Sequence, residues 1–304
     1  MNDVVIIGGG PSGLSAALAL GRARKRVLLC DAGLRRNAAA VHVHNFVTRD
    51  GTPPEDFRQI ARAQLATYAN VEIRDSGVAA ITGERNAFTV RLGSGEELRA
   101  RRVLLATGMV DEMLPIEGFR ELWGHSIFQC PYCHGWEIQD QRWGFLVQAD
   151  HAAHAAPFAL MARGFTTRGL TVFGELPEDV RAQLRAADIS IAAAPVRRLL
   201  ARDGQLTAIE LADGTVVACE ALFVHPPQHQ VALVDSLGLA VEDSYLRIDP
   251  MTRETSRPGI YAGGDLATRM QSAIIAAAAG MQAAAMINIE LSADLAAAPE
   301  KRAL

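Results

Sequence analysis

The sequence has few cysteines, no large excess of either charge and no long apolar run. Four cysteines in 304 residues cannot make the disulfide framework of a small secreted domain. With 30 basic and 34 acidic residues the formal net charge is −4, and no block of like charge stands out, so binding to nucleic acid is not expected. No uninterrupted apolar run reaches the roughly 18 residues of a membrane-spanning helix. We therefore expect a protein that is not embedded in a membrane.

The N-terminus lacks the features of a secretory leader. The chain opens on an apolar, β-branched run over residues 4–7, without a basic region or a small-residue cleavage site. We therefore expect a cytoplasmic location, where thiols stay reduced. The length is sufficient for one large or two ordinary domains with their own cores.

A dinucleotide-binding fingerprint begins at this first run. Residues 4–7 and 27–30 predict two buried strands, and a helix rich in alanine and leucine is predicted over 14–24 between them. The fingerprint glycines permit a tight turn, a close approach of the backbone to a pyrophosphate and close packing of the helix, whose N-terminus faces the phosphates. An acid about 20 residues on can bind ribose hydroxyls. The predicted binding residues are Gly8, Gly10, Pro11, Ser12, Gly13 and Asp31.

Cys130 and Cys133 are the cysteines placed for a redox reaction. They lie one helical turn apart with Pro131 between them, so the pair can close to a disulfide and reopen, and its surroundings can lower a thiolate pKa. In a reducing compartment such a pair indicates catalysis rather than structure. Cys30 and Cys219 lie in apolar, strand-like runs, and we expect both to be buried and unreactive.

The Cys-x-x-Cys-His sequence that ends at His134 is also typical of covalent haem attachment and, with further ligands, of zinc sites. Haem attachment of this kind needs export, for which the N-terminus carries no signal. Zinc needs about two further ligands, and the remaining cysteines are distant in sequence. We therefore expect no metal site.

The fingerprint alone does not distinguish FAD from NAD, but two later segments do. A predicted strand over 103–105 runs into Ala106-Thr107-Gly108. A second strand ends at Gly263-Gly264-Asp265, ahead of a predicted helix over 271–291. With these segments and its paired cysteines, the chain resembles the low-molecular-weight thioredoxin reductase family of flavoproteins. His134 stands where thioredoxin reductases proper commonly carry an aspartate, and this departure resembles the natural-product dithiol oxidase branch of the family.

The resemblance implies an α/β fold with two Rossmann-like dinucleotide-binding domains and, as in the family, a homodimer. A discontinuous FAD domain would span 1–117 and 245–304, with an inserted pyridine-nucleotide-like domain over 118–244 that carries the paired cysteines. Asp265 would bind the flavin ribityl chain, the helix beginning near Gln271 would face the flavin ring, and Asn45 would touch that ring. The implied FAD-binding residues are Asn45, Ala106, Thr107, Gly108, Gly264, Asp265, Gln271 and Ser272.

The inserted domain lacks the glycines that a second nucleotide would need. After the predicted strand over 143–147 the chain continues Gln148-Ala149-Asp150-His151, which sets a carboxylate where phosphates would lie. Glu175 follows the next strand, where the family has a basic cluster for the 2′-phosphate of NADPH. Like charges at contact distance cost on the order of a few kcal/mol. We therefore predict that ordinary NADPH binding is lost.

If NADPH is not the donor, the resemblance implies oxidation of a small-molecule or peptidic dithiol, with O2 as acceptor and H2O2 as product. Cys133 would face the flavin, and Cys130 would be the outer, interchange thiol. His134 could take a thiol proton or hold a thiolate as an ion pair. Tyr132 and Trp136 either present an aromatic surface to an apolar substrate or pack in the core.

Two alternatives stay open at this point. One is a thioredoxin reductase-type disulfide reductase with an atypical donor, such as a ferredoxin, another flavin or weakly bound NAD(P)H. The other is a flavin-bound redox sensor without turnover, against which the intact cysteine pair argues.

Overall fold

A computed structural model describes residues 1–296 of the protein. The chain divides into two compact units: the first contains residues 1–38, 46–110 and 228 onward, and the second contains 39–45 and 111–227. These changes of unit at 110/111 and 227/228 differ from the predicted domain boundaries at 117/118 and 244/245. The reason on the C-terminal side is that Val234 and Leu239, which precede residue 245, pack into the core of the first unit.

The elements before the insertion are β1 (Asn2–Ile7), α1 (Pro11–Arg22), β2 (Val27–Cys30), α2 (Pro54–Leu65), β3 (Val71–Arg74), β4 (Val78–Thr82), β5 (Phe88–Leu92), β6 (Glu97–Leu105) and β7 (Val110–Asp111). Those of the insertion are α3 (Phe119–Leu122), β8 (Ile127–Phe128), α4 (Pro131–His134), β9 (Trp143–Leu146), α5 (Ala155–Arg163), β10 (Leu170–Phe173), α6 (Glu178–Ala186), β11 (Ser190–Ala192), β12 (Val196–Arg202), β13 (Gln205–Leu211), β14 (Val216–Ala218) and β15 (Ala221–Val224). The chain ends with β16 (Gln228–His229), α7 (Ala232–Asp235), β17 (Val241–Glu242), β18 (Tyr245–Leu246), β19 (Ile260–Ala262) and α8 (Ala273–Ala296).

The first unit is built on a sheet in the order β3-β2-β1-β6-β5-β4, with β19 also paired to β6. Strands β1, β2, β3, β6 and β19 are mutually parallel where they pair, whereas β4 and β5 are antiparallel. The first half of the long β6 pairs with β5 and its second half with β19. The carboxyl ends of β1, β6 and β19 therefore meet at one edge of the sheet, where dinucleotides bind in such folds.

Helices α1 and α8 pack closely over this sheet. A Cβ at Gly280 of α8 would lie 2.0 Å from the Ser12 carbonyl oxygen, so only glycine allows this approach. Within residues 1–296, α8 is also the one helix long and apolar enough to cross a membrane. Its Ala283, Ala284 and Ile287 are buried against α1 in the core of this unit. The face of α8 that carries these residues is therefore part of the core of the first unit.

The end of α8 is held by ion pairs. Arg102, which is fully buried, donates to Asp294 Oδ2 (2.9 Å) and to Asn86 Oδ1 (2.6 Å). The helix therefore continues beyond residue 291, where the predicted helix ended.

The second unit has a parallel sheet in the order β11-β10-β9-β15-β8 and a separate antiparallel sheet β12-β13-β14. All residues of β9 and β15 are apolar or glycine because these parallel strands are buried on both faces of the sheet. Two α/β units, one on a mixed and one on a parallel sheet, confirm the predicted fold class. Strands β4 and β12 were not predicted, because charged or small residues interrupt their apolar pattern.

Candidate active site

The predicted glycine turn lies between β1 and α1. Gly8 has φ 112°, and a Cβ there would lie 2.2 Å from the Ala106 carbonyl oxygen. A Cβ at Gly13 would lie 1.9 Å from the Gly8 oxygen, so α1 packs directly on the turn. No atom lies within 4 Å of a Cβ placed at Gly10, and α1 begins at Pro11 without a side-chain cap. Open space thus faces the uncapped N–H groups of a helix, as a phosphate requires.

Residues from three distant segments converge beside this turn. The Ser12 and Thr107 hydroxyl oxygens are buried and have no hydrogen-bond partner within the described part of the chain. A Cβ at Gly264 would lie 3.1 Å from the Ser12 Cβ, and Gly108 has φ 68°. A buried hydroxyl without a partner costs about 1–3 kcal/mol, so these groups fit a polar ligand such as a dinucleotide.

Asp31 ends β2 with its carboxylate buried. Its Oδ1 accepts the Gly33 N–H (2.9 Å), and its Oδ2 accepts from Arg58 Nη2 (2.6 Å) and Nε (3.0 Å). Arg58 therefore fixes the acid that the fingerprint assigns to a ribose. Arg58 was not predicted, because nothing in its local sequence connects it with a residue 27 positions earlier.

Asp265 follows β19 and also has an arginine partner. Arg36 Nη1 donates to Asp265 Oδ2 (2.9 Å) and to Gln271 Oε1 (2.6 Å), and Gln228 Nε2 donates to the same Gln271 oxygen (3.2 Å). The Ser272 hydroxyl accepts the Ile275 N–H (3.3 Å) at the start of α8. Asp265, Gln271 and Ser272 thus lie together, and Arg36 is an unpredicted member of the group.

Cys130 and Cys133 flank the start of the short helix α4. Cys130 occupies the N-cap position, Pro131 opens the helix, and the Cys133 N–H donates to the Cys130 carbonyl (3.1 Å). Both sulfurs are free thiols. A hydrogen bond from the Cys133 thiol, opposed by burial and aided by the backbone N–H groups of Cys133 and Tyr132, lowers the pKa of Cys130 to about 7. Cys130 is therefore a nucleophile and a good leaving group near neutral pH.

His134 closes α4 with its ring stacked on Phe128. Neither ring nitrogen has a hydrogen-bond partner within residues 1–296, so neither is bonded to a thiol. Burial, partly offset by Glu137 and reinforced by His44, lowers the pKa of His134 to about 4. The imidazole is neutral at pH 7, which disfavours the ion pair with a thiolate, and the catalytic role of His134 stays a prediction.

The segment Ala39–Asn45 belongs to the second unit and contacts the cysteine loop. Asn45 has φ 60°, and its Nδ2 donates to the Tyr132 carbonyl oxygen (2.5 Å). His44 Nε2 lies 3.4 Å from a Glu137 carboxylate oxygen. The flavin contact expected of Asn45 stays a prediction, whereas its contact with the cysteine loop was not foreseen.

The surroundings of the cysteine pair are apolar and accessible. Tyr132 and Trp136 are 61% and 76% exposed, so neither packs in the core.

The remaining cysteines are buried as predicted, and burial raises the pKa of Cys30 to about 11 and that of Cys219 further. In residues 1–296 no group of three or more His, Cys, Asp or Glu side chains is arranged to hold a metal ion.

The turn after β9 differs from the glycine turn after β1. The chain enters a 3-10 helix over Ala149–His154 before α5 begins at Ala155. Asp150 exposes 76% of its side chain there, and Glu175 is exposed after β10. Since Leu146 and Phe173 pair in the parallel sheet, both carboxylates follow strands that end at the same edge.

Comparisons with known proteins agree with this geometry. A family model described as pyridine nucleotide-disulphide oxidoreductase matches residues 2–153 and 170–280. The chain belongs to this family. Thioredoxin reductase sirT of Leptosphaeria maculans is 33% identical, with 97% of this chain and 96% of that protein covered. Thioredoxin reductase tcpT of Claviceps purpurea is also 33% identical, with 96% and 95% covered.

A solved structure supports the same assignment. The crystal structure of HlmI has a TM-score of 0.88 with 35% identity, covering 99% of this chain and 98% of that chain. The predicted resemblance is thus confirmed, and this pyridine nucleotide-disulphide oxidoreductase is an FAD-dependent, thioredoxin reductase-like enzyme.

Proposed function

We propose that this enzyme oxidises a small-molecule or peptidic dithiol to a disulfide through Cys130 and Cys133, with O2 as the final acceptor. The proposal rests on a nucleophilic cysteine pair in the second unit. The turn after β9 in that unit, where a nucleotide would bind, has no glycine, and Asp150 and Glu175 lie beside it. Bound FAD supplies the two-electron redox chemistry between the cysteine pair and O2. The turn residues Gly8–Gly13, with Asp31, Thr107 and Asp265, would hold it.

The thiol chemistry follows from the Cys130 environment. A substrate thiolate attacks the Cys130 sulfur of the enzyme disulfide, forming a mixed disulfide and releasing the Cys133 thiolate. The second substrate thiolate then attacks the substrate sulfur and expels the Cys130 thiolate. Because the low pKa of Cys130 makes it a good leaving group, this second step is favoured. Overall, the dithiol loses two electrons and two protons, which convert O2 to H2O2.

The surface around the pair supports an apolar substrate. Exposed Tyr132 and Trp136 lie one residue before and three residues after Cys133. Aromatic faces of this kind bind apolar rings. A cytoplasmic location and a homodimer stay predictions.

Anaerobic stopped-flow mixing tests the proposal. Reduced dithiothreitol and NADPH are mixed separately with the FAD-loaded enzyme while the visible flavin band is monitored. We expect rapid bleaching with the dithiol, slow or no bleaching with NADPH, and aerobic turnover that yields one H2O2 per dithiol. Cys133→Ser should abolish dithiol bleaching, and Cys219→Ala, a buried cysteine outside the site, should retain it.

The runner-up function is a thioredoxin reductase-type disulfide reductase with an atypical donor. Rapid flavin bleaching by micromolar NADPH, or faster reduction of thioredoxin than consumption of O2 with any dithiol, would favour it over the oxidase.

A further inference from the structure

Asn45 contacts one particular peptide group of the cysteine loop. Its Nδ2 donates to the carbonyl oxygen of Tyr132, at 2.5 Å. The carbonyl of Tyr132 and the N–H of Cys133 belong to the same planar peptide unit. A hydrogen bond that fixes the carbonyl therefore fixes the direction of the N–H on the opposite side.

That N–H points back toward Cys130. It donates to the Cys130 carbonyl oxygen (3.1 Å) and is one of the donors that stabilise the Cys130 thiolate. The other groups acting on this sulfur are the Cys133 thiol and the Tyr132 N–H. The titratable groups on the adjoining segments are His134, which is neutral above about pH 4, the His44–Glu137 pair, and Asp111, whose Oδ1 accepts from Gln129 Nε2 (3.4 Å).

We propose that Asn45 is a positioning residue that holds the Tyr132–Cys133 peptide plane so that its N–H faces the Cys130 sulfur. Rotation of this plane would turn the N–H away from the sulfur and leave the thiolate with fewer donors. An asparagine suits the place for two reasons. It tolerates the left-handed φ of 60°, and its short amide reaches the loop as a donor. The inference rests on the proposed role of Cys130 as the interchange thiol.

Two substitutions separate the amide donor from the backbone conformation. Asn45→Gly keeps the positive φ at no cost and removes the side chain. Asn45→Asp keeps the shape and replaces the donor with an acceptor. The matched control is His42→Ala, an exposed residue of the same segment. FAD content and thermal unfolding are checked for each variant.

The measurement is the rate of iodoacetamide alkylation at Cys130 in the reduced FAD-loaded enzyme, quantified by mass spectrometry between about pH 5 and pH 9. Alkylation follows the thiolate fraction and needs neither dithiol substrate nor O2, so its outcome is separate from that of the proposed function. We expect both Asn45 variants to shift the profile upward, with Cys130 alkylated about threefold to fivefold more slowly at pH 7, and His42→Ala to match the wild type.

Two results would overturn the proposal. One is a wild-type pH profile in folded Asn45→Gly. The other is a shift in Asn45→Asp alone, which would trace the effect to the added charge rather than to the lost donor.

Discussion

The His134 imidazole stacks on the Phe128 ring, with ring centroids 4.4 Å apart and the planes at 24°. Burial lowers the pKa of this half-buried ring to about 4, whereas the unfolded chain binds the proton at the ordinary histidine pKa of 6.5. Between these two pH values the folded protein therefore binds fewer protons than the unfolded chain. Its contribution to stability is fully present above about pH 6.5. That contribution is lost as the pH falls toward 4 and amounts to about 2–3 kcal/mol.

Replacement of His134 by Phe should therefore flatten the acid limb of the stability curve. The unfolding temperature of His134→Phe should fall less than that of the wild type between about pH 6.5 and pH 4. His125→Phe, at an exposed histidine, is the control and should follow the wild type. Parallel acid limbs for His134→Phe and the wild type, measured by circular dichroism, would contradict the assigned pKa.

The two glycines of the first turn should respond differently to alanine. Gly10→Ala adds a Cβ where no protein atom lies within 4 Å and where φ is −80°, so the apoprotein should keep its stability. The same methyl group lies in the space assigned to the dinucleotide, and FAD affinity should fall about tenfold or more. Gly13→Ala meets the Gly8 oxygen at 1.9 Å and should cost about 2–3 kcal/mol of folding free energy.

Thermal unfolding of the apoproteins and fluorescence titration with FAD measure both effects. Wild-type FAD affinity in Gly10→Ala would place the dinucleotide elsewhere.

Of the two arginines near Asp31, Arg58 should contribute more to stability than Arg62. Arg58→Ala leaves a buried carboxylate without its bidentate donor, and we expect a loss of about 3 kcal/mol of stability, with weaker FAD retention. Arg62 lies 3.9 Å from Asp31 and pairs mainly with the exposed Asp75. Arg62→Ala should therefore cost only about 0.5 kcal/mol. Equal losses of unfolding free energy in denaturant titrations of the two variants would show that the Arg58–Asp31 contact contributes no more to stability than the Arg62 contact.

Removing negative charge beside the second turn should improve NADPH binding. Asp150→Asn combined with Glu175→Gln deletes two exposed carboxylates that follow neighbouring strands. Each exposed charge contributes about 1 kcal/mol at most in a screened site, so the double variant should bind NADPH about tenfold more tightly. Glu121→Gln, an exposed acid on α3, is the control. Calorimetry that detects no gain would assign the defect to the 3-10 turn rather than to charge.

The sequence alone was sufficient for features that depend on neighbouring residues. The β1–turn–α1 unit is local: Gly13 is required because α1 approaches the Gly8 oxygen of the turn, although the close contact at Gly8 is with the distant Ala106. The burial of Cys30 and Cys219 followed from the apolar, strand-like runs in which they lie.

Only the tertiary structure decided which distant side chains meet. Arg36 reaches Asp265 across 229 positions, and Asn45 reaches Tyr132 across 87, so no local pattern could indicate either contact. The charge of His134 was also beyond the sequence, because it depends on the burial of the ring against Phe128. Local sequence specifies backbone conformation and capping, whereas desolvation and hydrogen bonding between remote groups exist only once the chain has folded.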